Sequence, residues 1–228
     1  MMYPRSNPIR EALVKLSPEW DEKFGMPVAL HIGDPAQEAA ALQDLALADL
    51  SALPKVGCKG QGAEAWLRDQ GLPAPKEIYG WDCLDGGGIV ARSDRFEFVI
   101  WNGFDGGPVE DLSDALRAEI PGVYRVERQD ACFLIAGARA LDVLAQTCGV
   151  NFAETDDVLV KTRIAVTSCT VKRVELGEIP AYRLWCEPSY GVYLWTALQE
   201  IVEELGGRPV GWACVEHAAP APRLQRDA

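Results

Sequence analysis

Residues 48–67 constrain the fold more than any other part of the chain, because they return later in degenerate form. The stretch from Ala48 through Lys55-Val56-Gly57-Cys58-Lys59-Gly60-Gln61-Gly62-Ala63 to Leu67 reads as a short strand, a glycine turn and an amphipathic helix. The second copy is Cys132-Phe133-Leu134-Ile135-Ala136-Gly137-Ala138-Arg139-Ala140, with Leu141 and Leu144 continuing one helical stripe. A unit that cannot bury its apolar face alone, used twice, implies a duplicated skeleton.

The elements between the copies follow the same order in each half. After the first copy a helix runs to about residue 70, with Ala63, Trp66 and Leu67 on one face and Gly71 as its stop. The turn Asp85-Gly86-Gly87-Gly88 leads to strands at 89–91 and 96–101, and Gly106-Gly107-Pro108 opens a helix carrying Leu112, Leu116 and Ile120. The second copy precedes strands at 163–166, 169–171 and 182–186. Past Pro188-Ser189, a long helix places Leu194, Trp195, Leu198, Ile201, Val202 and Leu205 on one side, until Gly206-Gly207 stops it. Before the first copy, Asp34, Pro35 and Gln37 form a helix-opening signal.

Strand, helix, two or three strands and helix, taken twice, predict an α+β fold of two pseudo-repeated split β-α-β halves with mainly antiparallel sheets. The expected divisions are an N-terminal arm at 1–24, with a short helix within 9–16, then a first half at 25–125 and a second at 126–213. A disordered, Ala-Pro-rich tail is expected at 214–228. Either half alone would bury little, so the two are expected to pack as one body.

A net charge of −12 repels phosphate backbones and anionic lipid, which argues against nucleic-acid or membrane partners. The chain shows neither a signal sequence nor an apolar run of bilayer length. The seven cysteines are odd in number and never form C-x-x-C; most sit in apolar runs, as buried thiols of a cytoplasmic protein do. Only His31 and His217 are available, so neither a His-rich metal site nor a Ser-His-Asp triad is expected.

Residues 48–67 resemble the signature of the glycine-cleavage T-protein (aminomethyltransferase) superfamily, a folate-binding fold. Gly25-Met26-Pro27-Val28, Arg95-Phe96-Glu97-Phe98-Val99-Ile100-Trp101-Asn102 and Gly206-Gly207-Arg208-Pro209-Val210-Gly211 are similar to its early loop, apolar strand and late turn. Within it, Gly87-Gly88-Ile89-Val90-Ala91-Arg92 and the run from Tyr182 through Pro188-Ser189-Tyr190 to Trp195 look like the gamma subunit of heterotetrameric sarcosine oxidases. The resemblance spans residues 25–211. Where T-proteins carry an acidic pair that includes the catalytic aspartate, this chain has Ala91 and Arg92. The C-terminal barrel of the enzymes is expected to be missing.

The resemblance therefore implies a non-catalytic structural or assembly subunit of a flavin-dependent, sarcosine-type amine oxidase, packed on a larger flavoprotein. The flavin, nicotinamide, zinc and folate sites would lie on companion chains. This chain would supply no catalytic residue, no metal ligand and no cofactor of its own. The alternative is a tetrahydrofolate-dependent aminomethyltransferase or a folate-binding accessory protein, using a displaced acid such as Asp82, Asp85 or Asp94. Trp81, Asp82, Trp101, Asn102 and Tyr190 are its candidate folate-like pocket, since flat aromatic residues suit a pterin ring. Cys58 reads as packing rather than as a reactive thiol, and His217 beside Glu216 as a solvated pair rather than an acid–base site.

Overall fold

The computed structural model describes residues 5–155 and 157–219. The chain begins with α1 (Arg10–Val14), β1 (Glu19–Lys23), β2 (Met26–His31), α2 (Pro35–Asp44) and β3 (Ala46–Asp49). It continues through β4 (Lys55–Lys59), α3 (Ala63–Asp69), β5 (Trp81–Cys83), β6 (Ile89–Asp94), β7 (Glu97–Trp101), α4 (Val109–Ala115) and β8 (Tyr124–Val126). Then come β9 (Ala131–Ala136), α5 (Ala140–Thr147), β10 (Val160–Ile164), β11 (Thr167–Leu176) and β12 (Ile179–Cys186). The last elements are α6 (Gly191–Glu204), β13 (Arg208–Pro209) and α7 (Trp212–Ala218).

Two compact units result. Residues 53–128 form one, and residues 5–52 with 129–219 form the other. In the unit of 53–128 the strands lie in the order β5-β6-β7-β4-β8, every pairing antiparallel. The other unit carries the order β10-β11-β12-β9-β3-β13, antiparallel except for β13 beside β3, together with a separate β1–β2 hairpin. In both, a strand, a helix and a three-stranded meander bring the last strand back beside the first: β7 beside β4, and β12 beside β9. The duplicated α+β topology read from the sequence is the observed one.

The two copies share a turn whose backbone demands glycine. Gly60 and Gly137 have φ of +120° and +113°, and a Cβ on them would lie 2.1 Å from the Gly122 carbonyl oxygen and 2.3 Å from that of Asp44. The helix then starts with Ala63 N–H donating to the Gly60 carbonyl, and Ala140 N–H to that of Gly137. Helix ends follow the sequence signals as well. Asp34 accepts the Gln37 N–H at 3.0 Å. Gly71 and Gly206 take left-handed φ, and Leu72 N–H and Gly207 N–H reach back to the carbonyls of Leu67 and Val202.

Alternation along the strands fills one face of each sheet. Val56, Cys58, Val90, Phe98 and Ile100 meet the α3 and α4 residues Trp66, Leu67 and Leu112 in one core. Phe133, Ile135, Val171, Tyr182 and Leu184 meet Leu194, Trp195, Leu198 and Val202 of α6 in the other.

Several expectations are corrected. Residues 48–67 are not one strand–turn–helix: β3 closes at Asp49 in one unit, and β4 opens at Lys55 in the other. The division at 125/126 gives way to a discontinuous unit, because β3 pairs with β9 and brings the first 52 residues with it. The arm at 1–24 contributes α1 and β1, and its Ile9 and Leu13 are wholly buried. Residues 214–218 belong to α7, anchored by buried Trp212 and Val215, whereas 220–228 lie outside the described residues. Ala165 and Val166 form the β10–β11 turn with φ of 43° and 62° instead of ending a strand.

Candidate functional site

Strand β6, which follows the triple-glycine turn, is where the resemblance expects an acidic pair. Here Ala91 is fully buried, and Arg92 is a structural clamp. Arg92 Nε donates to the Pro75 carbonyl at 2.6 Å, one terminal nitrogen donates to the Arg95 carbonyl at 2.8 Å, and the other pairs with the Glu64 carboxylate. The guanidinium carbon lies 4.5 Å from the Phe98 ring centroid. Arg92's hydrogen bond outweighs burial and holds the Glu64 carboxyl below its ordinary value. Asp82, Asp85 and Asp94, the candidate displaced acids, are all exposed, and Asp94 accepts the Arg95 N–H at 2.6 Å.

Register distributes the candidate pocket residues. Trp81 pairs with Ala91, and Trp101 pairs with Ile89 and Lys55, so both indoles stand on the sheet face opposite the α3/α4 core. On that face Lys55, Ile89, Ala91, Val99 and Trp101 are nearly excluded from solvent. Asp82 pairs with Val90, placing it on the other face, at an edge strand. Asn102 is buried beyond the end of β7, and its Oδ1 accepts the Val109 N–H at 3.2 Å at the start of α4. Tyr190 belongs to the other unit, more than half exposed in the turn before α6. The structure thus joins Trp81 and Trp101 on one face, and gives Asp82 and Asn102 other surroundings.

No protein-family model matches the chain, and no curated protein matches it either. Among solved structures it is similar to the glycine cleavage system aminomethyltransferase T of Bartonella henselae, with a TM-score of 0.71 over 93% of this chain at 16% identity. The chain has the aminomethyltransferase T fold. It spans 61% of the length of that protein. A chain of the heterotetrameric sarcosine oxidase of Corynebacterium sp. U-96 matches with a TM-score of 0.59 at 18% identity, over 76% of this chain and 93% of that one.

On this T fold the remaining candidates have plain surroundings. Cys58 is fully buried in β4; burial first, and then the Glu97 charge, push its thiol up to about 12. Glu216 pairs with Lys23 Nζ at 3.1 Å, while His217 is exposed on the next face of α7. Among the described residues no cluster of three or more His, Cys, Asp or Glu is placed to hold a metal, and no helix is long and apolar enough to cross a membrane. Sequence reasoning missed Arg183, which is 7% exposed in β12. Its signal was one arginine among the apolar residues Tyr182, Leu184, Trp185 and Cys186.

Proposed function

We propose that this chain is a non-catalytic subunit of a heteromeric, flavin-dependent amine oxidase of the sarcosine-oxidase type, ordering a larger flavoprotein partner. The observation that carries the reading is Arg92. A guanidinium bound to two carbonyls and a carboxylate stands where the resemblance expects the catalytic acid of one-carbon transfer. The sarcosine oxidase match supports the same reading. It covers a larger share of its own chain than of this one, so that chain is the shorter of the two, a small component of a heterotetramer.

The test is affinity isolation of the native protein, with mass spectrometry of its partners and an absorption spectrum of the eluate. A larger flavin-containing chain in constant stoichiometry is expected; recovery of this chain alone overturns the reading. A second reading, a tetrahydrofolate-binding accessory protein, is favoured by the shared face of Trp81 and Trp101. Calorimetric titration with tetrahydrofolate decides it, since an absence of heat removes it.

A further inference from the structure

The β10–β11 hairpin closes through two residues, Ala165 and Val166, with φ of 43° and 62°. Glycine and asparagine reach that region at little cost, whereas a β-branched side chain there strains its own backbone. Ala165 has an evident reason for its place. It packs partly buried against the α6 core, and its N–H donates to the Thr147 carbonyl at the end of α5 at 3.0 Å. Val166 gains no such burial: at 77% it is the most exposed large hydrophobic among the described residues.

Strain without burial destabilises the chain twice, because the backbone is forced and the apolar side chain stays in water. A strained residue kept at an exposed tip points to contact with something outside the chain. The tip is also held firmly. Ala165 is tied to α5, and lower on β10 the Thr162 hydroxyl lies 3.3 Å from Cys148 Sγ. A knob fixed beforehand loses little conformational freedom when it docks.

Charge indicates what receives it. Ile164 enters the core, so alternation turns Lys161 and Arg163 outward, and both are exposed, as is Ser168 across from Arg163. Residues 158–174 carry four basic side chains and no acidic one, in a chain of net charge −12. Of the four, Lys172 is taken by Asp157. An apolar knob beside outward cations is complementary to an apolar socket rimmed by carboxylates. Anionic lipid offers the same charge, but one valine gives too little apolar area to hold a membrane.

We propose that the β10–β11 tip is a docking knob, with Val166 seated in an apolar, carboxylate-rimmed socket on the larger flavoprotein. The knob rests on the subunit reading, since the socket belongs to that partner.

The experiment compares full-length wild type, Val166→Gly, Arg163→Glu and Val14→Ser, the last a control at another exposed valine. Each is isolated natively with its partners at several salt concentrations, and each is melted alone. Val166→Gly relieves the strain, so the free chain should melt about 2–4 °C higher, while the larger chain should dissociate about tenfold faster or more. Arg163→Glu should weaken retention most at low salt. Val14→Ser should retain the partner as wild type does; an equal loss there overturns the knob. A larger chain that stays with Val166→Gly as firmly as with wild type overturns the knob and leaves the subunit reading standing. Recovery of wild type alone overturns both. A Val166→Gly chain that melts below wild type would show that the valine serves the fold itself, and overturns the knob. So does Val166-dependent binding to phosphatidylcholine–phosphatidylserine vesicles, or Val166-dependent self-association in sedimentation.

Discussion

Replacing Arg92 with methionine keeps an unbranched apolar stem against Phe98 and removes the guanidinium alone. The Pro75 and Arg95 carbonyls then lose their side-chain donor. The buried Pro75 acceptor costs about 1–3 kcal/mol, water takes over at the Arg95 carbonyl on its exposed residue, and the lost contact with the Phe98 ring adds about 0.5–1 kcal/mol. The Glu64 carboxylate adds little, because its side chain is 36% exposed and water replaces the arginine. A total of about 1.5–4 kcal/mol follows, centred on the strands of the 53–128 unit.

Hydrogen exchange followed by mass spectrometry reads this locally. Amides of β6 and β7 should exchange on the order of a hundredfold faster in Arg92→Met, since about 1.4 kcal/mol is a factor of ten. Peptides from β11 and β12 should change little. Glu64→Gln should accelerate β6 by less than about fivefold. If Arg92→Met leaves β6 exchange within about fivefold of wild type, the clamp is refuted, because even one orphaned carbonyl costs more than that.

Two further outcomes follow from glycine geometry and from thiol burial. Gly137→Ala forces a Cβ against the Asp44 carbonyl oxygen at 2.3 Å and strains a φ of +113°, so it should cost about 3 kcal/mol or more in urea denaturation. Gly149→Ala, with nothing within 4 Å of the added carbon, should stay within about 0.5 kcal/mol. Burial raises the thiols of Cys58, Cys169 and Cys186 from an ordinary value of 9.0 to about 12, while Cys83 is exposed. The unfolded thiols ionise first, so their contribution is complete below pH 9 and is lost as the pH rises toward 12. Thermal melts should fall across that window, and at neutral pH a thiol reagent should label Cys83 well before these three. Rapid labelling of Cys58 in the native protein would contradict its burial.

Local periodicity accounts for what was legible in the sequence. The apolar stripe of α6, the Asp34 cap, the glycine stops at Gly71 and Gly206, and the repeated strand–glycine–helix unit are short-range patterns. Neighbouring residues alone satisfy or violate them. They were enough to give the α+β class and the duplicated order of elements. The N-terminal hairpin and α7 were less legible, because proline-punctuated or alanine-rich stretches carry weak periodicity. Tertiary packing orders them, by burying Met26, Val28, Trp212 and Val215. The β10–β11 turn was hidden for a different reason: Ala165 and Val166 adopt positive φ without the glycine or asparagine that announces such a turn.

Strand partnership is a non-local choice, and only the tertiary structure made it. The composition of residues 48–67 does not say that Asp49 ends a strand beside β9 while Lys55 starts one beside β7. Sequence alone placed Ala91 and Arg92 where an acid was expected. The fold decided that Arg92 would be consumed by Pro75, Arg95 and Glu64, and it set Trp81 and Asp82 on opposite faces of one strand. By the same logic, alternation along β12 required Arg183 to leave the α6 core. It was burial of the opposite face that turned an ordinary surface cation into one without a counter-charge in the described chain.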